Sequence, residues 1–171
     1  MSGSILVAYA TRYGSTQEVA EQIAATLREH GLTVDVKSAR QVHDLEGYRA
    51  VVLGAPLYIG RWLKDAQNFL KRHQQALIER PVAMFTLGPT RAEELKDPQV
   101  RDQLDQELAR YPWLKPITAE LFGGKYDPAS LRFPDSLLGI LPASPLHNAP
   151  ASDVRDWEAI RAWANSLAPK L

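Results

Sequence analysis

Ser4-Ile5-Leu6-Val7-Ala8-Tyr9 runs straight into Ala10-Thr11-Arg12-Tyr13-Gly14-Ser15-Thr16, and the chain continues as QEVAEQIAATLREHG over residues 17–31. The opening run is nearly all apolar and too short for a helix, the pattern of a strand buried on both faces. Residues 15–30 read as a helix, because Val19, Ile23 and Leu27 recur at one-turn spacing and Gly31 supplies a stop. A buried strand that turns through a short polar loop into an amphipathic helix is the first half of a parallel βαβ unit.

The same alternation continues along the chain. Residues 32–36, 50–53, 82–87 and 117–122 read as further strands, the second of these ended by Gly54 and Pro56. Residues 64–78, 98–111 and 153–167 read as helices, each with an apolar stripe. The stripes are Ala66, Phe69, Leu70, His73 and Leu77; Val100, Leu104 and Leu108; and Trp157, Ile160, Ala164 and Leu167. Five strands alternating with four helices predict an α/β fold, with right-handed crossovers and helices on both faces of a parallel sheet.

No internal repeat and no linker interrupts the pattern, so residues 1–171 are expected to form one domain. Residues 133–154 stand apart: they hold four prolines and no Lys or Arg, yet include Leu137, Leu138, Ile140 and Leu141. Such a long loop in a compact domain is usually functional or disordered. These leucines read either as a lid or docking surface or as a satellite core.

Composition narrows the function classes. With 171 residues, 20 Lys+Arg against 20 Asp+Glu and no cysteine, the chain has no disulfide framework, thiolate metal site or cysteine nucleophile. Zero net charge gives no electrostatic case for nucleic acid. Neither a secretory signal nor a membrane span is visible, and a cytoplasmic protein is expected.

Thr11-Arg12-Tyr13-Gly14-Ser15-Thr16 has the chemistry of an anion site. The first N–H groups of a helix lack partners and face the loop before it, where the macrodipole favours negative charge. The hydroxyls of Thr11, Ser15 and Thr16 add donors, Gly14 permits close approach, and Arg12 is the only cation. Neither the Walker pattern nor GxGxxG is present, which suits a monophosphate. Ser15 to Glu18 also matches a capping box, S-x-x-E, so the loop reads equally as an ordinary helix start. Two further loops leave the carboxyl ends of strands, where open parallel sheets bind ligands: Gly54-Ala55-Pro56-Leu57-Tyr58-Ile59-Gly60-Arg61-Trp62 and Thr86-Leu87-Gly88-Pro89-Thr90.

On these three loops the sequence resembles the flavodoxin-like superfamily. The stretch GAPLYIGRWLKDAQNFLKRH and the closing DVRDWEAIRAWANSLA look, more narrowly, like menaquinone-dependent protoporphyrinogen dehydrogenases. The resemblance implies a doubly wound five-stranded parallel sheet of order 2-1-3-4-5 with FMN at the switch point. It implies that Thr11, Arg12, Tyr13, Gly14, Ser15 and Thr16 surround the FMN phosphate. It further implies that Pro56, Leu57, Tyr58, Ile59, Gly60, Arg61, Leu87, Gly88, Pro89 and Thr90 flank the isoalloxazine. Gly60 matches a loop glycine whose neighbouring peptide can turn toward flavin N5. An aromatic residue is expected just before it, where this chain has Ile59 between Tyr58 and Trp62.

Other residues carry two readings each. Trp62 suits either a flavin stack or the core, and Arg61 either a ligand contact or a solvated charge. His73 is expected to be a buried, satisfied histidine, and Trp157 and Trp163 to pack. His30, His43 and His147 share no motif, and no residue forms a recognisable catalytic pair or metal site. Three functions follow: an FMN-dependent oxidoreductase acting on a quinone or porphyrinogen, an electron carrier between redox proteins, or a module that has lost its flavin. The neutral charge weakens the carrier reading, since carriers of this type use acidic surfaces for steering, and the intact hydroxyl loop weakens the third. The segment 133–154 occupies the position of a family-specific extension, but without basic residues it makes a poor contact for anionic lipid.

Overall fold

The computed structural model describes residues 3–144 and 147–171, apart from the Leu138 side chain. Its elements in chain order are β1 (Ser4–Tyr9), α1 (Ser15–Glu29), β2 (Val34–Ser38), β3 (Tyr48–Tyr58) and β4 (Arg61–Trp62). Then come α2 (Lys64–Arg72), α3 (Gln74–Ile78), β5 (Val82–Leu87), α4 (Pro98–Ala109) and β6 (Thr118–Phe122). The chain closes with β7 (Lys125–Tyr126), β8 (Ser152–Asp153) and α5 (Trp157–Leu167).

The central sheet has the order β2-β1-β3-β5-β6, all parallel, and β4 folds back antiparallel on the end of β3. With β4 set aside as a hairpin return, this is the expected order of five strands. Alternation along the strands splits the apolar residues between two cores. Ile5, Val7, Val52 and Phe85 pack under α1 and α5, against Val19, Ile23, Leu27, Ile160, Trp163 and Leu167. Leu6, Leu53 and Met84 face the other way, against Phe69 and Leu70 of α2 and Leu104 of α4. Every carboxyl end of the parallel strands therefore meets its loops along one edge.

Several elements differ from their sequence reading, each because of a partner distant in sequence. β3 does not end at Gly54 but runs to Tyr58, held by pairing of Gly54, Ala55 and Pro56 with Phe85, Thr86 and Leu87. Ala10 donates to the Gly54 carbonyl, so alternation turns Pro56 toward the β1 side, where β1 has already ended. The missing N–H of Pro56 thus costs no ladder bond. The helix expected over 64–78 breaks at His73 (φ −105, ψ 14). There the imidazole lies against Phe69, ring centroids 4.8 Å apart, with Nε2 at 3.3 Å from the Val42 carbonyl.

The last helix starts not at Asp153 but at Trp157, with Asp156 as its N-cap accepting the Ala159 N–H at 3.0 Å. Ser152 and Asp153 are taken instead by β7, which they pair antiparallel. β2 begins at Val34 rather than at residue 32, and β6 at Thr118 rather than 117. Trp163 is buried, whereas Trp157 is half-buried beneath the Arg155 guanidinium, 4.8 Å from its ring centroid.

Two measurements test this packing. A Cβ placed on Gly54 would lie 1.9 Å from Phe85 Cζ, and that ring is fully buried. Gly54→Ala should therefore destabilise the protein by about 1–3 kcal/mol in urea unfolding, as overpacking does, and Phe85→Leu in the same chain should restore part of the loss. Burial holds the His73 pKa below its ordinary value. The unfolded chain then binds the extra proton first, so this contribution to stability is complete above the unfolded pKa and is lost as pH falls through the folded one. The melting temperature should fall on acidification below neutrality, and His73→Gln should flatten that part of the curve.

Candidate functional site

The loop between β1 and α1 is built to leave the helix start open. Gly14 is the N-cap in a left-handed conformation (φ 92), and no side chain caps α1. The capping box read from Ser15 and Glu18 does not form. Glu18 turns instead to Arg155, 3.5 Å away, and its N–H goes to the Gly14 carbonyl. Thr11 Oγ1 accepts the Gly14 N–H at 2.8 Å, which fixes the shape of the loop. Thr16 is fully buried, and its hydroxyl has no hydrogen-bond partner among the described residues. A bare helix head and an unpartnered buried hydroxyl beside it are the components of a phosphate cradle.

This loop opens into a cleft of about 540 Å³, within the range of small-molecule sites. Of the residues singled out in the sequence, Arg12, Tyr13, Ser15, Tyr58, Ile59 and Thr90 line it. A smaller cleft of about 280 Å³ includes Leu57, Gly88, Pro89 and again Thr90. Thr11, Gly14, Thr16, Pro56, Gly60, Arg61 and Leu87 line neither cleft.

The hairpin between β3 and β4 sets the aromatic arrangement. Tyr58 pairs with Arg61 across a two-residue turn in which Ile59 (φ 50) and Gly60 (φ 71) both have positive φ, as type I′ hairpins require. A β-branched residue resists that conformation at a cost of about 1–3 kcal/mol. Ile59 accepts it while fully solvent-exposed.

Trp62 belongs to the core. It is 1% exposed, stacks on Tyr111 at 5.7 Å and donates its indole N–H to Thr86 Oγ1 at 3.1 Å. Arg61 turns away to the fully buried Glu107, at 2.8 Å, and to Gln67 at 3.1 Å. The Glu107 carboxylate also receives the Trp62 N–H at 3.3 Å, so this ion pair anchors the hairpin. Tyr58 is left as the aromatic ring of the hairpin that faces the cleft. Burial raises the pKa of its phenol, partly opposed by the Arg12 cation.

The far wall comes from residues that no motif marked: Lys125, Tyr126, Asp127, Ser130, Leu131, Asp135 and Ser144. Pairing of β7 with β8 brings them here, and neither two-residue strand has a sequence period to detect. Asp135 binds the phosphate loop directly, pairing with Arg12 Nε at 2.5 Å and accepting the Tyr13 hydroxyl proton. Arg155, 8% exposed, adds a second cation near the head of α1, donating to the Ser15 carbonyl at 3.2 Å. Asp153 grips its guanidinium at 2.7 and 2.9 Å, and that contact keeps the Asp153 pKa below the usual carboxylate range.

An open parallel sheet with an uncapped helix head and two flanking loops at its carboxyl edge defines a flavodoxin-like α/β protein. Residues 6–137 match the flavodoxin domain family, and the chain belongs to it. Along its length it is 26% identical over 169 residues to protoporphyrinogen IX dehydrogenase [quinone] of Escherichia coli K12, covering 95% of this chain and 93% of that protein. Among solved structures, oxidised flavodoxin 2 from Bacillus cereus superposes with a TM-score of 0.59 at 22% identity, over 98% of this chain and 99% of that one. The rubredoxin:oxygen oxidoreductase of Desulfovibrio gigas superposes with a TM-score of 0.58 at 15% identity, over 98% of this chain, which spans 35% of that longer one. The cofactor of the family is FMN, and the residues present fit its phosphate: an uncapped helix head, an unpartnered Thr16 hydroxyl and a Ser15 that lines the cleft. Among the described residues no His/Cys/Asp/Glu group is arranged to hold a metal ion, and no helix is long and apolar enough to cross a membrane.

The absence of a Ser15 cap separates binding from folding in a mutational test. Ser15→Ala and Thr16→Val should leave the apo-protein melt almost unchanged. Each should weaken FMN by about 1.5–3 kcal/mol, roughly tenfold to a hundredfold, with riboflavin affinity nearly constant. Flavin-fluorescence titration of both ligands reads the difference, and equal losses for the two would assign the hydroxyls to the fold.

Proposed function

We propose that this protein is an FMN-dependent oxidoreductase that takes electrons from a bulky apolar reductant of the porphyrinogen class and passes them to a quinone. The observation that carries the reading is the cleft itself. It lies between the phosphate loop and the Tyr58–Ile59 turn on one side and the 125–144 segment on the other, and it has the volume of a substrate site. The end-to-end similarity to a quinone-linked dehydrogenase supports it.

Bound FMN would supply the two-electron chemistry. The backbone at the head of α1, with Ser15 and Thr16, holds the phosphate. Arg12 stands beside it with its Nε engaged by Asp135. The Tyr58 ring offers a face for the isoalloxazine, with Leu57, Gly88, Pro89 and Thr90 on the smaller cleft that shares Thr90 with the larger one, while Pro56, Gly60 and Leu87 shape the loops that carry them. Ile59 and Leu131 add apolar surface to the cleft. No side chain is assigned as acid or base, since no carboxylate or histidine pair stands at the cleft in a catalytic arrangement.

The extension contributes surface rather than core. Leu137, Ile140 and Leu141 are exposed by 37%, 66% and 49%, which does not match a satellite core. The same exposure, together with Phe133, favours a second reading in which a redox partner docks here and the protein acts as a carrier.

Turnover separates the two. FMN-loaded protein supplied anaerobically with protoporphyrinogen IX and menadione should accumulate porphyrin absorbance as the quinone is consumed. Reduction by a flavodoxin reductase without any porphyrin formation would overturn the dehydrogenase reading in favour of the carrier.

A further inference from the structure

One wall of the cleft carries a polar group that the fold does not use. Tyr126 lies on β7 and lines the cleft, yet the residue is only 7% exposed. Its hydroxyl has no hydrogen-bond partner among the described residues. A buried hydroxyl without a protein partner is unfavourable unless water, an ion or a ligand pairs it.

Its surroundings narrow the chemistry. A Cβ on Gly139 would stand 3.8 Å from the hydroxyl oxygen, so the 3-10 turn Asp135–Gly139 covers it. Asp135 ties that turn to Arg12 and Tyr13 of the phosphate loop. Lys125, the neighbouring residue of β7, lines the same cleft and brings a second donor. Tyr58, Ile59 and Leu131 supply aromatic and apolar surface. Two donors in a cleft with aromatic and apolar lining suit a ring compound bearing electron-rich oxygen.

We infer that Tyr126 is the polar anchor of the quinone, its hydroxyl donating to a quinone carbonyl oxygen once the Asp135–Gly139 turn lifts from the cleft. The inference rests on the quinone-linked reading above and deepens it. Tyr126 keeps its proton throughout, and its role is to bind and orient. A quinone oxygen would supply the acceptor that the described residues do not.

The signs expected for Tyr126→Phe differ from those of a structural tyrosine. Removing an unpaired buried hydroxyl should leave the melting temperature of the FMN-loaded protein equal or higher, and FMN affinity unchanged. Menadione, measured by titration calorimetry on the same protein, should bind roughly tenfold more weakly, the worth of one hydrogen bond. Its carbonyl-free counterpart 2-methylnaphthalene should bind wild type and variant alike.

Unchanged menadione affinity in the variant would overturn the inference while leaving the quinone reading intact. So would parallel weakening of both ring compounds, which marks packing, or a marked drop in melting temperature, which marks a structural hydroxyl. Failure of the wild type to bind or reduce menadione would overturn the quinone reading and the inference with it.

Discussion

The N–H groups in the first turn of α1 have no acceptor within their own helix, and Gly14 in its left-handed conformation brings no side chain to serve them. The parallel sheet places that bare helix head at the carboxyl end of β1, beside the ends of β3 and β5. Because the strands run parallel, each loop that leaves a strand for a helix does so at this same edge. The hairpin Tyr58–Arg61, the Leu87–Thr90 loop and the 125–144 segment are thus gathered around the head of α1. Fold and site share this constraint: the helix dipole must end there, and the loops can go nowhere else.

Buried charge does the fine positioning. Glu107, fully buried on α4, holds Arg61 and the Trp62 backbone together. This sets the hairpin so that Trp62 enters the core and Tyr58 remains at the cleft. Arg155 does similar work below, joining Asp153 of β8 to Ser15 and Glu18 at the start of α1. Removing one partner from such a pair strands the other, and that is costly in a low-dielectric interior. Both pairs therefore act as couplings between the sheet edge and the loops, rather than as independent sources of stability.

The cleft is two-faced in origin. One wall belongs to the flavodoxin-like loops and was marked by their glycines, hydroxyls and aromatics. The other belongs to the chain after β6, where short strands and 3-10 turns fold back over the phosphate loop. Asp135 joins the walls, bonding Arg12 and Tyr13 of the β1–α1 loop from the turn that covers Tyr126.

Local pattern was enough for the alternation of strands and helices, their parallel order and the place of the polar loop between β1 and α1, because periodicity and turn chemistry act over a few residues. Gly14 and the hydroxyls around it were legible for the same reason. Tertiary structure alone decided what depends on distant partners. Ser15 failed to cap because Gly14 took the N-cap position and Glu18 turned to Arg155. β3 outran Gly54 because Phe85 covers that glycine and Thr86 and Leu87 continue the ladder. Trp62 and Arg61 left the cleft because Glu107, in a helix more than forty residues on, draws both inward. The Lys125–Ser144 wall has no period or motif of its own, so only the pairing of β7 with β8 places it opposite the phosphate loop.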